Sequence, residues 1–304
     1  MRRRSTNLGL DLETQYREIY KNLALYEFPW DLNQSLSFAL FRTYAVPSIG
    51  RLLDETGAFT TDAQKRYDDT VILLETPLLE GVESPDGRAA IRRINQMHRS
   101  YDISNEDMLY VLSTFVVVPK RWIDDFGWRT LTSDEVTASV RYYRDLGRHM
   151  GIRDIPASYQ EFAELMDAYE QQHFAFDAGA RRVAESTMDL LASFYPRPAK
   201  PVVNLFSRTL MDQPLLEAFR FDDPGDLARR ASRAALRARA RVVALLPPRR
   251  KPHLVRDMSR IRSYPGGFSI AQMGTFPDGC PMPHQGAEQP AAGAAASGWP
   301  LPSP

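Results

Sequence analysis

Apolar residues recur with a helical period along most of the chain, between about residues 10 and 262. In one stretch, Phe162, Leu165, Met166 and Tyr169 follow the spacing i, i+3, i+4, i+7. This spacing places all four side chains on one face of an α-helix. The alternating pattern of half-buried strands joined by short glycine turns does not occur. The pattern therefore predicts an all-α fold, with about ten helices in a single multi-helix domain.

Capping residues mark the start of at least two of these helices. Thr132 is followed three residues later by Glu135, and Ser158 by Glu161. At this spacing the hydroxyl and the carboxylate bond reciprocally to backbone N–H groups of the first turn. Helices are therefore predicted to begin at these two points.

Composition separates the ends of the chain from its centre. Residues 286–304 consist almost entirely of Gly, Ala, Pro and Ser. Such a segment cannot bury enough apolar surface to offset the entropy that ordering costs. We expect a flexible N-terminus over residues 1–10, a helical domain over residues 11–275 and a disordered tail over residues 276–304.

Charge and cysteine content exclude several classes of protein. The chain has 38 Lys and Arg and 38 Asp and Glu, so its formal net charge is zero, which disfavours nucleic acid as a partner. The single cysteine, Cys280, cannot form a disulfide framework or a cysteine-based metal centre.

No apolar run is long enough to span a bilayer, and no apolar signal-peptide core follows the basic residues 2–4. A cytoplasmic location is expected.

One segment, residues 227–251, concentrates Arg among Ala, Val and Leu. A solvated helix with one buried stripe explains such a composition. Peripheral contact with an anionic membrane is the alternative, because Arg and Leu side chains together favour the bilayer surface. The sequence leaves both interpretations open.

His98 is the first candidate metal ligand. It follows Ile91, Ile94 and Met97 in a predicted helix, and its side chain continues the edge of their apolar stripe. A histidine in this position is either a hydrogen-bonded core residue or a ligand. A haem with one proximal imidazole requires a histidine of this kind in an apolar helical pocket.

His173 and Glu170 form a second candidate. Glu-x-x-His on a helix is half of the ligand set of di-iron carboxylate bundles. The sequence has no second copy of the motif, and the nearest substitute is Asp145 with His149. Glu170 also fits a solvated acidic face, and His149 fits a cation near the carboxyl end of a helix.

Arg66 and Thr70 are four residues apart and therefore share one helix face. They are either a surface pair in which Asp68 or Asp69 neutralises Arg66, or a fixed cation and a hydrogen-bonding group beside a bound oxygen ligand.

Several segments of the chain occur in a recognisable order. They are Arg66-x-x-x-Thr70, the helix ending in 92–98, and the segments 104–112, 142–144, 147–151 and 155–158. In this order they resemble the MpaB-type oxygenases, relatives of the rubber oxygenase called latex clearing protein. The resemblance covers about residues 47–194.

That resemblance implies a globin-like helical core, one haem b, and cleavage of C=C bonds in isoprenoid chains with O2. By position it makes His98 the proximal haem ligand, and it makes Arg66 and Thr70 the polar pair on the distal side. Asp69 is a departure, because the rubber oxygenases have at this position a lysine able to cap the iron. The absence of their secretion signal also disfavours an extracellular polymer as substrate.

The sequence therefore predicts a haem b-dependent oxygenase that oxidises or cleaves a C=C bond of a hydrophobic, isoprenoid-like substrate with O2. Two alternatives remain at this point. One is a non-haem di-iron oxidase that uses Glu170 and His173, and the other is a non-catalytic protein that binds haem or a membrane surface.

Overall fold

The structure, a computed structural model, describes residues 6–274. Within this range the regular elements are helices and no strand occurs, which confirms the predicted all-α fold. None of these helices combines the length and the apolar character that crossing a membrane requires. The α-helices are α1 (Leu12–Asn22), α2 (Pro29–Tyr44), α3 (Pro47–Glu55), α4 (Ala58–Thr61), α5 (Ala63–Glu80), α6 (Pro85–His98), α7 (Asn105–Phe126), α8 (Ser133–His149), α9 (Tyr159–His173), α10 (Ala178–Ser193), α11 (Lys200–Leu210), α12 (Gln213–Phe219) and α13 (Asp226–Leu245).

Local capping chemistry determines where helices start. Both predicted capping boxes form. The Thr132 hydroxyl accepts a hydrogen bond from the Glu135 N–H at 3.2 Å, and the Glu135 carboxylate accepts one from the Thr132 N–H at 3.0 Å. Ser158 and Glu161 form the same reciprocal pair at the start of α9. Side chains close in sequence thus satisfy N–H groups that have no intrahelical partner.

Helix α7 runs through the main hydrophobic core and packs against α2, α8, α9 and α13. Its side chains Tyr110, Val117 and Ile123 are at most 1% exposed. Trp122 and Phe126 pack edge to face, with ring centroids 5.1 Å apart. Because α7 has buried neighbours on several sides, it joins these four helices around one core.

A buried ion pair lies beside this core and joins α2 to α9. The Arg42 Nε donates to the Glu170 carboxylate at 2.7 Å, and the Tyr110 hydroxyl donates to the same oxygen at 3.1 Å. Arg42 also donates to Asp212 at 2.7 Å. Glu170 is only 7% exposed. The solvated acidic face that the sequence allowed for Glu170 is therefore wrong, since its charge is neutralised inside the protein.

Helices α5 and α6 pack against each other and are covered by residues 255–274, a largely irregular segment that we call the C-terminal strap. The apolar contact between them includes Ile72 and Leu73 of α5, Ala90 and Ile94 of α6, and Met273 of the strap. The strap thus returns the chain to helices that lie almost two hundred residues earlier in the sequence.

Of the two expected end segments, only the N-terminal one includes residues that the structure describes. The Thr6 N–H donates to the Glu27 carboxylate at 2.8 Å, and the Asn7 side chain donates to Glu135 at 3.1 Å. The segment 1–10, expected to be flexible, is thus attached to the helical domain at residues 6 and 7. The expected tail, 276–304, lies outside the described residues, as does Cys280.

Replacing Glu170 by Gln is expected to lower the free energy of unfolding by about 3 kcal/mol, because Arg42 loses the charge of its buried partner. The matched control is Asp167→Asn, which removes a carboxylate from an exposed pair with Arg121 and is expected to cost less than about 1 kcal/mol. Chemical denaturation measures both changes. A loss for Glu170→Gln no larger than the control's would contradict a stabilising role of the buried pair.

Candidate functional site

Helix α5 carries two sets of polar side chains on opposite sides. Because an α-helix has 3.6 residues per turn, Arg66 and Thr70 share one side, whereas Asp68 and Glu75 lie on the other. The two sets have different partners. The carboxylates bind the strap, and Arg66 faces the candidate site.

Three α5 carboxylates, of Asp68, Asp69 and Glu75, hold the strap in place. They are at most 6% exposed. They accept hydrogen bonds of 2.7 to 3.2 Å from the backbone N–H groups of Val255, Arg256, Arg262, Ser263 and Gly274. Charge-assisted bonds of this kind satisfy carboxylates that would otherwise be costly to bury.

Asp69 is a structural residue in this arrangement. Its carboxylate accepts hydrogen bonds from the Lys65 Nζ at 2.7 Å, from the Gly274 N–H at 3.0 Å and from the Tyr264 hydroxyl. The position that carries a capping lysine in rubber oxygenases thus anchors the strap in this chain. Neither Asp68 nor Asp69 forms an ion pair with Arg66, although the charge of Asp69 acts on Arg66 from a greater distance.

Arg66 has no carboxylate within ion-pair distance among residues 6–274. Its Nη1 donates to the Thr70 hydroxyl, and that hydroxyl donates to the Arg66 carbonyl oxygen at 2.7 Å. The guanidinium also lies 5.4 Å from the centre of the Phe59 ring. Burial lowers the pKa of Arg66, yet a guanidinium stays charged in a protein. A desolvated cation with spare donors favours an anionic or oxygen-bearing ligand.

His98 is the last residue of α6, and its side chain is half-buried at the edge of the core. Its Nδ1 is fully buried and has no hydrogen-bond partner. Burial, with a smaller contribution from the charge of Arg66, lowers the pKa of His98 to about 4. The helix dipole would favour a cation at this end of α6, but burial outweighs it. His98 is therefore neutral at physiological pH and able to act as a ligand.

Arg66 links His98 to two tyrosines that the sequence analysis did not single out. The charge of Arg66 acts on Tyr101 and Tyr44 as well as on His98. Tyr101 follows His98 by three residues, so its spacing could have indicated it. Tyr44 ends α2 and packs edge to face on Phe59, at 5.5 Å, and burial raises its pKa to about 12. No local pattern connects Tyr44 with α5 or α6.

The residues of the alternative metal site are engaged elsewhere. Their partners are Arg42 for Glu170, the Tyr169 carbonyl oxygen for His173, Tyr16 and Arg17 for Asp145, and Glu83 with the Asp145 carbonyl oxygen for His149. The described part of the chain contains no group of three His, Cys, Asp or Glu arranged to hold a metal ion. Residues 6–274 therefore contain no ligand cluster of the kind that a di-iron centre requires.

The residues around His98 fit a haem b in their donor chemistry. The buried Nδ1 of His98 has no hydrogen-bond partner and so makes no bond that would compete with a ligand, and a neutral imidazole is the proximal donor that many haem proteins use. Arg66 adds a cation that has no ion-pair partner among residues 6–274, which suits a carboxylate or a polarised oxygen. His98 and Arg66 are thus the residues that could hold such a group.

Fold and site together define an all-helical protein with a single candidate histidine ligand beside an arginine. Residues 32–245 match the family model described as "ER-bound oxygenase mpaB/B'/Rubber oxygenase, catalytic domain". The chain belongs to this family of oxygenases. The match confirms the resemblance seen in the sequence and extends it on both sides of residues 47–194.

Similar proteins come from two species of Penicillium. The chain is 31% identical over 224 residues to ER-bound oxygenase mpaB' of Penicillium brevicompactum, covering 68% of this chain and 53% of the relative. It is 32% identical over 217 residues to mpaB of that species, covering 65% and 55%. With mpaB of Penicillium roqueforti the identity is 31% over 219 residues, covering 66% and 74%. The chain thus spans about half the length of the Penicillium brevicompactum relatives.

Replacing Asp69 by Asn is expected to loosen the strap, because the bonds from Lys65, Tyr264 and Gly274 lose their charged acceptor. The expected loss of stability is about 2 kcal/mol. Hydrogen exchange at the Gly274 amide should accelerate, whereas Glu80→Gln, at the exposed end of the same helix, should leave it unchanged. Unaltered protection of Gly274 in the Asp69→Asn variant would refute the anchoring role.

Proposed function

We propose that this protein is a haem b-dependent oxygenase that oxidises or cleaves a C=C bond of a hydrophobic, isoprenoid-like substrate with O2. The observation that carries the proposal is the neutral His98 beside Arg66, in a chain that belongs to an oxygenase family. Family membership supports the class of reaction. The donor chemistry of His98 and Arg66 supports the choice of cofactor.

In this proposal His98 would bind the iron of a haem b through its imidazole. Burial keeps its imidazole neutral, so a lone pair is available without loss of a proton. Packing holds α6, since Ile91 and Ile94 are buried and the Arg93 Nε donates to the Met273 carbonyl oxygen of the strap. The ring therefore projects from a helix whose position is fixed. A bound haem b would supply the iron at which O2 is activated.

Arg66 is the candidate catalytic residue and Thr70 its positioning residue. The guanidinium has donors in a planar fork and can donate to the oxygen atoms of a reactant. The Thr70 hydroxyl accepts from the Arg66 Nη1 and donates to the Arg66 carbonyl oxygen. The bond to the carbonyl oxygen fixes the Thr70 hydroxyl, and the bond from Nη1 to that hydroxyl restrains the guanidinium, so that less ordering is left for the moment of reaction.

The aromatic residues around Arg66 suit an apolar substrate. Phe59 lies against the guanidinium and Tyr44 against Phe59. Because these rings exclude water, the charge of Arg66 acts more strongly on nearby oxygen atoms than it would in solution. The Tyr44 hydroxyl keeps its proton at neutral pH, so it can only donate or accept a hydrogen bond there.

The haem assignment is tested by His98→Gly, with His173→Gly as the matched control because that side chain lies at the exposed end of α9. After expression in haem-replete cells, the pyridine haemochrome assay should give about one haem b per chain for the parent protein and for the control, as one proximal ligand implies. His98→Gly should lose most of its haem, and added imidazole should restore the Soret band.

Full haem content and an unchanged spectrum in His98→Gly would show that another residue is the axial ligand. Iron without porphyrin in the parent protein would overturn the haem proposal and return the question to a non-haem centre.

The role of Arg66 is tested by Arg66→Met and Arg66→Lys in the haem-loaded protein. Oxygen consumption is measured with a panel of isoprenoid alkenes of increasing chain length. Loss of a preorganised donor should lower kcat by about a hundredfold or more in Arg66→Met. Arg66→Lys, which keeps the charge but not the planar fork, should lie between the parent protein and Arg66→Met.

If haem content is the same in all three proteins, a difference in rate reflects turnover and not cofactor binding. An equal rate in all three proteins would remove Arg66 from catalysis. A haem-loaded parent that consumes no oxygen with any alkene of the panel would support the non-catalytic alternative.

A further inference from the structure

Positive charge is concentrated in one segment of a chain that is neutral overall. Residues 227–256 contain ten Lys and Arg and no Asp or Glu, while the whole chain has equal numbers of each sign. Most of this segment is α13. An ordinary solvated helix pairs its cations with acids one turn away. The only acid that α13 contains is Asp226, its first residue, so the rest of the helix has no acid to pair with.

Three arginines of α13 point inward and attach the helix to the domain. Arg233 donates to Asp125 at 2.7 Å and Arg239 to Asp31 at 3.0 Å. Arg229 donates to the Met211 carbonyl oxygen at 2.9 Å. These arginines have structural partners, so the proposed surface does not depend on their charge.

Three other arginines, Arg230, Arg237 and Arg241, form an outward stripe. Their side chains are exposed, and none has an ion-pair partner among residues 6–274. Together with Arg233 and Ala234 they line a surface groove of about 450 Å³. Like charges one turn apart destabilise a helix, so an anionic partner along the stripe would relieve their repulsion.

An apolar strip runs beside the arginine stripe on the solvent side of the same helix. Leu227 is 83% exposed, Val242 58% and Leu245 87%. Leu227 and Leu245 are five helical turns apart and therefore lie on one face, with alanines between them along that side. The outer surface of α13 is thus itself amphipathic, in addition to the inner stripe that Leu236 and Ala240 bury in the domain.

We propose that the exposed face of α13 docks on the surface of a lipid bilayer that contains anionic headgroups. The arginine stripe matches the phosphate and carboxylate groups of such lipids, and the leucines match the boundary of the acyl chains. A nucleic acid would pair with the arginines but would leave the apolar strip exposed to water. A bilayer would contact both, so it explains both features of the surface. The contact is peripheral, because α13 lies along the domain.

This docking does not depend on the haem or on turnover, so its failure and that of the proposed oxygenase activity are distinguishable. If the oxygenase proposal holds, the docking places the enzyme where an apolar alkene accumulates. Such a substrate partitions into the acyl region of a bilayer, and an enzyme held at that surface meets it at higher concentration than in water.

The test is co-sedimentation of the full chain with phosphatidylcholine vesicles that contain or lack phosphatidylserine. The stripe variant combines R230Q, R237Q and R241Q. The matched control removes three exposed arginines on other elements, by R92Q, R148Q and R153Q. We expect the stripe variant to bind phosphatidylserine vesicles about a hundredfold more weakly, at roughly one kcal/mol per charge, and the control much less. Raising the salt concentration should weaken binding of the parent protein.

A second variant, Leu227→Ser with Leu245→Ser, keeps every charge and is expected to weaken binding by about tenfold or more, since two apolar side chains no longer enter the bilayer. Circular dichroism and the thermal unfolding midpoint establish that each variant is folded.

Three results would overturn the proposal. One is equal loss of binding in the stripe variant and its control, which would indicate non-specific attraction. A second is retention of binding in the leucine variant together with displacement by RNA, which would indicate a nucleic-acid site. The third is self-association of the parent protein, abolished in the leucine variant without effect on vesicle binding, which would assign the strip to a second copy of this chain.

Discussion

The interaction on which the site depends is the binding of the strap by the buried carboxylates of α5. Asp68, Asp69 and Glu75 are satisfied by backbone N–H groups, whose positions follow from the path of the chain. A carboxylate can be buried only if such donors remain in place, so helix and strap constrain each other. This constraint fixes the rotation of α5 about its axis, and Arg66 consequently points away from Asp68 and Glu75.

The end of the strap also restrains the helix turn that carries His98. Gly274 donates its N–H to Asp69 and has a φ of 92°, a conformation that favours glycine. A side chain at this position would collide with the sulfur of Met97, the residue that precedes His98. The close approach of Gly274 to Met97 therefore holds the last turn of α6. Two candidate residues on different helices, His98 and Arg66, thus owe their placement to one irregular segment.

Sequence periodicity and capping chemistry were sufficient to predict the all-α fold, both capping boxes and a histidine at the edge of the core. These features depend on residues a few positions apart. The partners of Asp69 and Glu170 could not be predicted, because Gly274 and Arg42 lie 205 and 128 residues away from them. Likewise, the composition of residues 227–251 indicated an arginine-rich helix but not which arginines face inward. That distinction depends on acids such as Asp125, on another helix.

Arginine has different roles in this protein. Which role a given arginine has depends on whether a carboxylate lies within ion-pair distance of it. Arg42 and Arg256 are largely buried against carboxylates and stabilise the packing of helices. Arg66 is half-buried and has no ion-pair partner among residues 6–274, so in the proposed haem site its charge would be available to a ligand. Arg230, Arg237 and Arg241 are exposed and likewise have no such partner, in a chain whose other segments carry the compensating negative charge. Charge separated in this way orients a protein in an external field. Near an anionic surface it would turn α13 toward the surface and the acidic remainder away, so that attraction and orientation arise from the same asymmetry.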